Sequence, residues 1–337
     1  MNKRKLDVMA GKRLNLLTIG GGSGQFVLLS GLRDLGSVTV TAVVSMADSG
    51  GSTGRLRDEL GILPPGDVLK CLLALSPYRD LARKIFLKRF VTDRRLHGHT
   101  AGNMLLTMLS RYTGSFPRGV QALGEILEIR GEILPVTVDS ATLVAELTDG
   151  SRVFGEEAID IPRGTQREKI REVYLVPHHS HCISVYPPVI DAITRADYIL
   201  IGPGDLFTSV LPNLVVPGVK EALQCAKGGI FYVLNLMTKF GETHNFSAFD
   251  FIEKLEEGMG RQVHGVICNS LRPSQDILDR YCDQKAEFIE FDERGGRWGN
   301  RRIYGADLLD TTGGLVRHDP AKLARLILRI ISEPGGQ

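Results

Sequence analysis

The chain has 337 residues, enough for one large or two ordinary domains, and its 41 basic and 39 acidic side chains leave a formal net charge of +2. No overall field therefore selects a nucleic acid or an anionic membrane, so only local anion sites are expected. Five widely spaced cysteines (Cys71, Cys182, Cys225, Cys268, Cys282) without a CxxC pair fit reduced thiols in a cytoplasm, and neither a signal-peptide apolar region nor an uncharged membrane-length run occurs.

Residues 1–13, with Lys3, Arg4, Lys5, Lys12 and Arg13, are expected to form a flexible tail. The run LNLLTIGGGSGQ at 14–25 then reads as a buried strand that stops in Gly20, Gly21, Gly22, Ser23 and Gly24. Residues without a Cβ let successive N–H groups turn toward an anion. Leu28, Leu32 and Leu35, at helical spacing, predict a helix whose positive end faces the same anion. On pattern alone this stretch is either a phosphate cradle or an ordinary strand-to-helix turn. Residues 38–46 (VTVTAVVSM) read as a second strand, and Asp48 just beyond it stands where a dinucleotide fold places its ribose-binding carboxylate. The G-x-G-x-x-G pattern fails at Gln25 and no Walker A sequence occurs. Gly50-Gly51-Ser52-Thr53-Gly54 satisfies G-x-S-x-G, but it is discounted as a nucleophile elbow because glycines precede the serine and no helix is expected directly after it.

Pro64-Pro65-Gly66-Asp67 is a rigid loop before an apolar helix over 68–75. Asp67 reads either as that helix's N-cap or as a carboxylate facing the Asp48 loop, able to hold a divalent cation or a ribose hydroxyl. A basic amphipathic helix over 81–90 reads as a solvated face. His97-Gly98-His99-Thr100-Ala101-Gly102-Asn103 opens another helix, with small polar groups at its start, and the H-x-H pair lacks a third metal ligand nearby. From about residue 133 to 176 the sequence alternates apolar and polar residues, which predicts a small antiparallel meander inserted over or beside the ligand crevice. His178, His179, His181 and Cys182 follow as the best zinc candidate, outweighed by a loop of solvent-facing imidazoles.

A helix over 189–195 and a strand over 196–201 lead into Gly202-Pro203-Gly204-Asp205-Leu206-Phe207-Thr208-Ser209, again a strand end that opens into glycines and hydroxyls. One helix is expected from Leu211-Pro212-Asn213 to about Cys225. The strand over 230–236 runs out at Asn235, Met237 and Thr238, Ser247 and Asp250 form a capping box, and 263–268 is a further strand. Asp319-Pro320 starts the final helix, with Arg317 at its entrance as a candidate diphosphate ligand. Five buried strands thus end in polar or glycine-rich loops. They predict one crevice at the carboxyl edge of a mostly parallel sheet, suited to binding anions and hydroxyls.

GGGSGQ, MADSGGSTGRLRDELGILPPGD, GHTAGNMLL, IGPGDLFTSVLPNLVVPGV, NLMTKFGET and RHDPAKLA together resemble the YvcK-like gluconeogenesis factors, within the superfamily of the 2-phospho-L-lactate transferases (CofD). The resemblance covers nearly the whole chain, from about Leu14 to Ile331. It implies an α/β fold: a Rossmann-like, mostly parallel sheet with helices on both faces and an inserted small antiparallel β subdomain. The expected divisions are 14–132 and 179–337 for the two parts of the α/β domain and 133–178 for the insert. It also implies a cytoplasmic bacterial protein that binds UDP-sugars, notably UDP-N-acetylglucosamine, and links carbon supply to cell-wall synthesis and cell shape. The glycine loop and the Asp48 loop would hold diphosphate and ribose. Asn103, Gly204, Thr208, Ser209 and Asn213 would line the crevice, joined by Asp67, Asn235, Thr238 and Arg317. Two departures stand out. Ser49 replaces the second aspartate of the ADDGG that many relatives carry, which weakens a paired-carboxylate metal site, and Asp205 replaces the serine of GPGSL, which puts a negative charge near the anion site or caps a helix. The first expectation is a nucleotide-sugar sensor without turnover and without a required cofactor, acting on an unidentified cell-wall or central-metabolism protein, with homo-oligomers open and no nucleic acid or membrane insertion. The second is a phospholactyl or nucleotidyl transferase that uses magnesium, with Asp48 and Asp67 as its ligands.

Overall fold

The structure is a computed structural model, described here for residues 13–91, 96–162, 164, 166–178, 182–291 and 298–333. Residues 1–12 of the expected tail, and His179 and His181 of the expected zinc cluster, lie outside the described residues.

The first strand, β1 (Leu14–Gly20), is buried on both faces beyond the exposed Asn15, as expected of a mostly apolar strand inside a parallel sheet. The chain then turns at the glycines into α1 (Gly22–Leu32) and returns as β2 (Val38–Val44). Four helices come next: α2 (Gly51–Leu60), α3 (Gly66–Leu75), α4 (Arg79–Phe86) and α5 (Ala101–Tyr112). A fifth, α6 (Phe116–Ile126), leads into β3 (Glu132–Pro135). β3 pairs in parallel with β2, so the stretch expected to open the insert instead supplies the outer strand of the main sheet. Its Ile133, Leu134 and Pro135 are all buried, a continuous run that periodicity cannot assign to an alternating strand.

The antiparallel unit comprises β4 (Ala141–Leu147), β5 (Arg152–Phe154), a short helix α7 (Glu156–Asp160), and β6 (Ile170–Pro177). Its order is β5-β4-β6, with β4 central, rather than a meander. The segment after Gly155, expected to be strand, turns at that glycine (φ +89°) and becomes α7. The α/β frame then resumes with α8 (Pro187–Arg195), β7 (Tyr198–Ile201), a π-helical turn (Leu206–Val210), α9 (Leu211–Leu214) and α10 (Val219–Gln224). The single helix expected here is broken at Pro217-Gly218, where Gly218 adopts φ +98°. The remaining elements are β8 (Gly229–Val233), α11 (Ala248–Met259), β9 (Gly265–Asn269), α12 (Gln275–Cys282), β10 (Arg302–Ala306), a small hairpin of β11 (Leu309–Asp310) and β12 (Arg317–His318), and α13 (Pro320–Ser332). β10 and the hairpin have no counterpart in the sequence reading.

The main sheet runs β10-β9-β8-β7-β1-β2-β3, and every pairing in it is parallel. Helices flank it: α1 packs with α3 and α13, and α10 with α8 and α11. The strand order reverses between β1 and β7. At such a reversal the loops leaving two adjacent strands diverge to opposite faces, which opens a crevice at their carboxyl ends. No described helix is long and apolar enough to cross a membrane.

Candidate functional site

The crevice lies at that reversal, between the loop after β1 and the loop after β7, and encloses a cleft of about 500 Å³. Its walls include Gly21, Gly22, Ser23 and Gly24 from the first loop and Gly204, Thr208 and Ser209 from the second. The two loops touch. A Cβ on Gly24 would lie 2.3 Å from the Pro203 carbonyl oxygen, so only glycine permits the approach. Asn235, at the end of β8, accepts a hydrogen bond from Gly204 N–H (3.3 Å) and fixes the second loop to its neighbour.

Gln25, the residue that breaks the dinucleotide fingerprint, is buried, and its Nε2 donates to Thr18 Oγ1 (3.2 Å) and the Val43 carbonyl (3.0 Å). It ties α1 to β1 and β2 where a third glycine would allow bare close packing.

Asp67 is not the N-cap of its own helix. Its Oδ2 accepts from Gly22 N–H (2.8 Å), so it caps α1 from across the cleft, while Oδ1 takes the Lys70 ammonium (2.9 Å). The first N–H of the glycine cradle is thus already satisfied by a protein carboxylate. Asp48 accepts from Gly50 N–H (3.1 Å). Burial, and then the negative charge of Asp67, push the Asp48 carboxyl up to about 6.

The antiparallel unit contributes more than a neighbouring wall. From α7, Glu156 and Asp160 both enter the cleft. Glu156 Oε2 accepts from Ser49 N–H (3.3 Å), and Ser49 Oγ accepts from Glu157 N–H (3.1 Å), which pins α7 over the Asp48 loop. Burial, followed by the charges of Asp48 and Asp160, raises the Glu156 carboxyl to about 8, so this side chain is largely a neutral hydrogen-bond donor at pH 7.

Asp205 stands at the N-cap position of the π-helical turn, but its side chain makes no capping bond. Its carboxylate takes the Lys239 ammonium at 2.8 Å, and the same ammonium pairs with Asp160 and lies 3.4 Å from Glu242. These three carboxylates form the one cluster of metal-binding geometry found among the described residues, and the Lys239 ammonium already sits among them. Glu242 is buried, and Thr208 Oγ1 donates to its two carboxylate oxygens at 3.2 and 3.3 Å. Desolvation raises the Glu242 carboxyl, while the adjacent ammonium opposes that rise.

Two cations in the cleft have no carboxylate bound to them among the contacts described. Arg317, on β12, is exposed at the rim. Arg83 reaches in from α4, with its guanidinium carbon 4.8 Å above the Phe26 ring. Beside them, His318 is buried, its ring is bonded to the Leu234 backbone, and burial lowers its pKa to about 4.

Of the residues expected in the crevice, four do not line it. Gly20 supplies a carbonyl that accepts from Asn213 Nδ2 (3.1 Å), and Asn213 also holds the Ser209 carbonyl (2.9 Å), so both brace the two loops from behind. Thr238 pairs with Glu287 through its backbone N–H (2.7 Å) and accepts from Glu287 N–H (2.8 Å). Asn103 is buried behind α2, where its Nδ2 donates to Ser52 Oγ (3.3 Å). Ser52 also bonds to His99 Nδ1 (2.9 Å), and Thr100 caps α5 by accepting from Asn103 N–H (3.2 Å). A helix does begin beside Ser52, contrary to expectation, yet the hydroxyl is buried in this network and carries no nucleophile geometry. His97 is exposed while His99 is buried, so the H-x-H pair does not converge. The sequence reading missed Lys70, Arg83, Glu156, Asp160, Lys239, Glu242 and His318. Only Arg83 carried a local signal, as a basic residue in an amphipathic helix.

The model of the CofD family, described as 2-phospho-L-lactate transferase CofD, matches residues 16–309. A gluconeogenesis factor of Bacillus subtilis is 38% identical over 324 residues, covering 96% of this chain and 100% of that protein. One from Halalkalibacterium halodurans is 40% identical over 319 residues, covering 94% of this chain and 96% of that protein. The crystal structure of a Bacillus halodurans protein superposes with a TM-score of 0.88 at 36% identity, covering 94% of this chain and 100% of that one. With the fold and nearly the full length in common, the chain belongs to the gluconeogenesis factors of the CofD family.

Proposed function

We propose that the cleft binds a UDP-sugar of the UDP-N-acetylglucosamine type without turning it over, and that the bound state signals carbon supply to cell-wall synthesis and cell shape. The observation that carries this reading is the pair Arg83 and Arg317, two cations that line the same cleft as the Gly22–Gly24 turn at the strand-order reversal. A diphosphate between them would meet guanidinium groups on one side and the remaining loop N–H groups on the other. Neutral Glu156 offers a donor to a phosphate or sugar hydroxyl, and Asp48 an acceptor for a ribose hydroxyl. Among the lining hydroxyls, Thr208 bonds to the Glu242 carboxylate but is buried, and Ser23 and Ser209 have no base bonded to them among the contacts described, which favours binding over chemistry.

Asp48 and Asp67 support a second reading, a transferase that uses magnesium. A divalent cation between these carboxylates would relieve the repulsion that raises Asp48, and magnesium would supply charge neutralisation at a phosphoryl centre. Against it stands the engagement of Asp67 by both Gly22 N–H and Lys70.

Titration calorimetry separates the two. UDP-N-acetylglucosamine should bind with or without magnesium, and Arg83→Ala and Arg317→Ala should each weaken it by roughly tenfold or more, the scale of a lost charge-assisted bond. Single-turnover conversion of the UDP-sugar, or of a guanylyl-phospholactate with magnesium, would replace the sensor with the transferase.

A further inference from the structure

The basic amphipathic helix expected to be a solvated face is more than charged. From the N-cap Tyr78 into α4, Tyr78, Leu81 and Ile85 follow one another at i, i+3 and i+7, with Leu81 62% and Ile85 52% exposed. The neighbouring α5 repeats the pattern at i, i+4, with Met108 64% and Tyr112 91% exposed. The two helices pack on each other, and their buried stripes (Ala82 and Leu106 among them) are separate from these outward ones. Single exposed apolar residues need no explanation, but two outward stripes on adjoining helices do.

The charges around them are mostly basic, although Tyr78 Oη donates to the Glu128 carboxylate (3.4 Å) at one end of the stripe. Over the described residues 78–91 and 101–112 there are six basic side chains, among them exposed Lys84, Lys88, Arg89 and Arg111, and one acidic side chain, Asp80. Because the whole chain is only +2, the rest of it is net negative. Exposed apolar side chains flanked by lysine and arginine complement a surface that is apolar beneath and anionic on top.

We propose that this face of α4 and α5 docks reversibly on an anionic lipid surface, with Leu81, Ile85, Met108 and Tyr112 in the headgroup boundary. Lys84, Lys88 and Arg89 would pair with lipid phosphates, their aliphatic stems lying along the apolar stripe. The contact is peripheral and spans nothing.

Flotation of the full chain tests it, with vesicles of phosphatidylcholine alone and of an equimolar phosphatidylcholine–phosphatidylglycerol mixture. The chain should float with the anionic vesicles only, and rising salt should release it. Leu81→Ser with Ile85→Ser, and separately Lys84→Glu with Lys88→Glu, should each weaken binding by about tenfold or more, whereas Phe154→Ser, an exposed apolar change on β5, should not. These positions are exposed, so the variants should keep the wild-type thermal transition. Failure to float with anionic vesicles, or equal flotation of the charge-reversed variant, overturns the proposal. So does a concentration-dependent dimer that the Leu81→Ser, Ile85→Ser variant abolishes in the absence of vesicle binding, since a second copy would then cover the face.

Discussion

Glu156 shows how one side chain acquires a role that its sequence context does not announce. It sits at the first turn of a five-residue helix in the antiparallel unit, yet its carboxyl reaches the Ser49 amide and the negative field of Asp48. Its folded pKa, about 8, lies above the ordinary value of 4.5, so folding takes up a proton. The resulting stabilisation is fully present below pH 4.5 and is lost as the pH rises through about 8. Glu156→Gln, which fixes the neutral form, should match the wild type at the acid end of that window. Above it the variant should be the more stable by on the order of 2 kcal/mol, allowing for the screening of a half-buried group. Thermal melts of both proteins across the window check this, and parallel curves would show that Glu156 titrates normally.

At the scale of elements, the helix ends were the most readable features because capping is local chemistry. Ser247 and Asp250 form the reciprocal box expected of them, with Ser247 N–H donating to Asp250 Oδ2 (2.6 Å) and Asp250 N–H to Ser247 Oγ (3.3 Å). Asp319 accepts from Ala321 and Lys322 N–H, both at 2.8 Å, and Pro320 takes the first helical position. Asp319→Ala should therefore destabilise the protein by about 1 kcal/mol, seen in denaturant melts as a lower midpoint with an unchanged slope. The same change should loosen β12, which α13 follows directly, and so weaken ligand binding through Arg317 as well. The elements misread were those whose identity rests on distant partners. β3 is an edge strand only because β2 lies beside it, and α7 is helical in a segment whose alternation suggested a strand.

Across the whole molecule, the cleft joins three regions far apart in sequence: the loop after β1, the loop after β7, and α7 of the antiparallel unit. Lys239 links the last two by pairing with both Asp160 and Asp205. A ligand held there should restrain all three together. Hydrogen exchange with UDP-N-acetylglucosamine should accordingly slow the amides of 22–24, 204–209 and 156–160 in concert, with little change in β9 or β10. Protection of the glycine loop alone would mean that α7 takes no part in binding.

The sequence by itself determined the α/β class, the parallel frame, the glycine loops at strand ends and the helix caps, because each depends on residues within a few positions of one another. It also brought Asp48, Asp67, Asn235 and Arg317 into consideration from their places beside strand and helix ends. Only the tertiary structure decided what those groups meet. Asp67 caps a helix 45 residues away, Asp205 is paired with Lys239, and Asn103 turns from the cleft toward Ser52. The acid and base partners of a site are chosen by the crossing of loops across a sheet edge, and no local pattern in the chain encodes that distance.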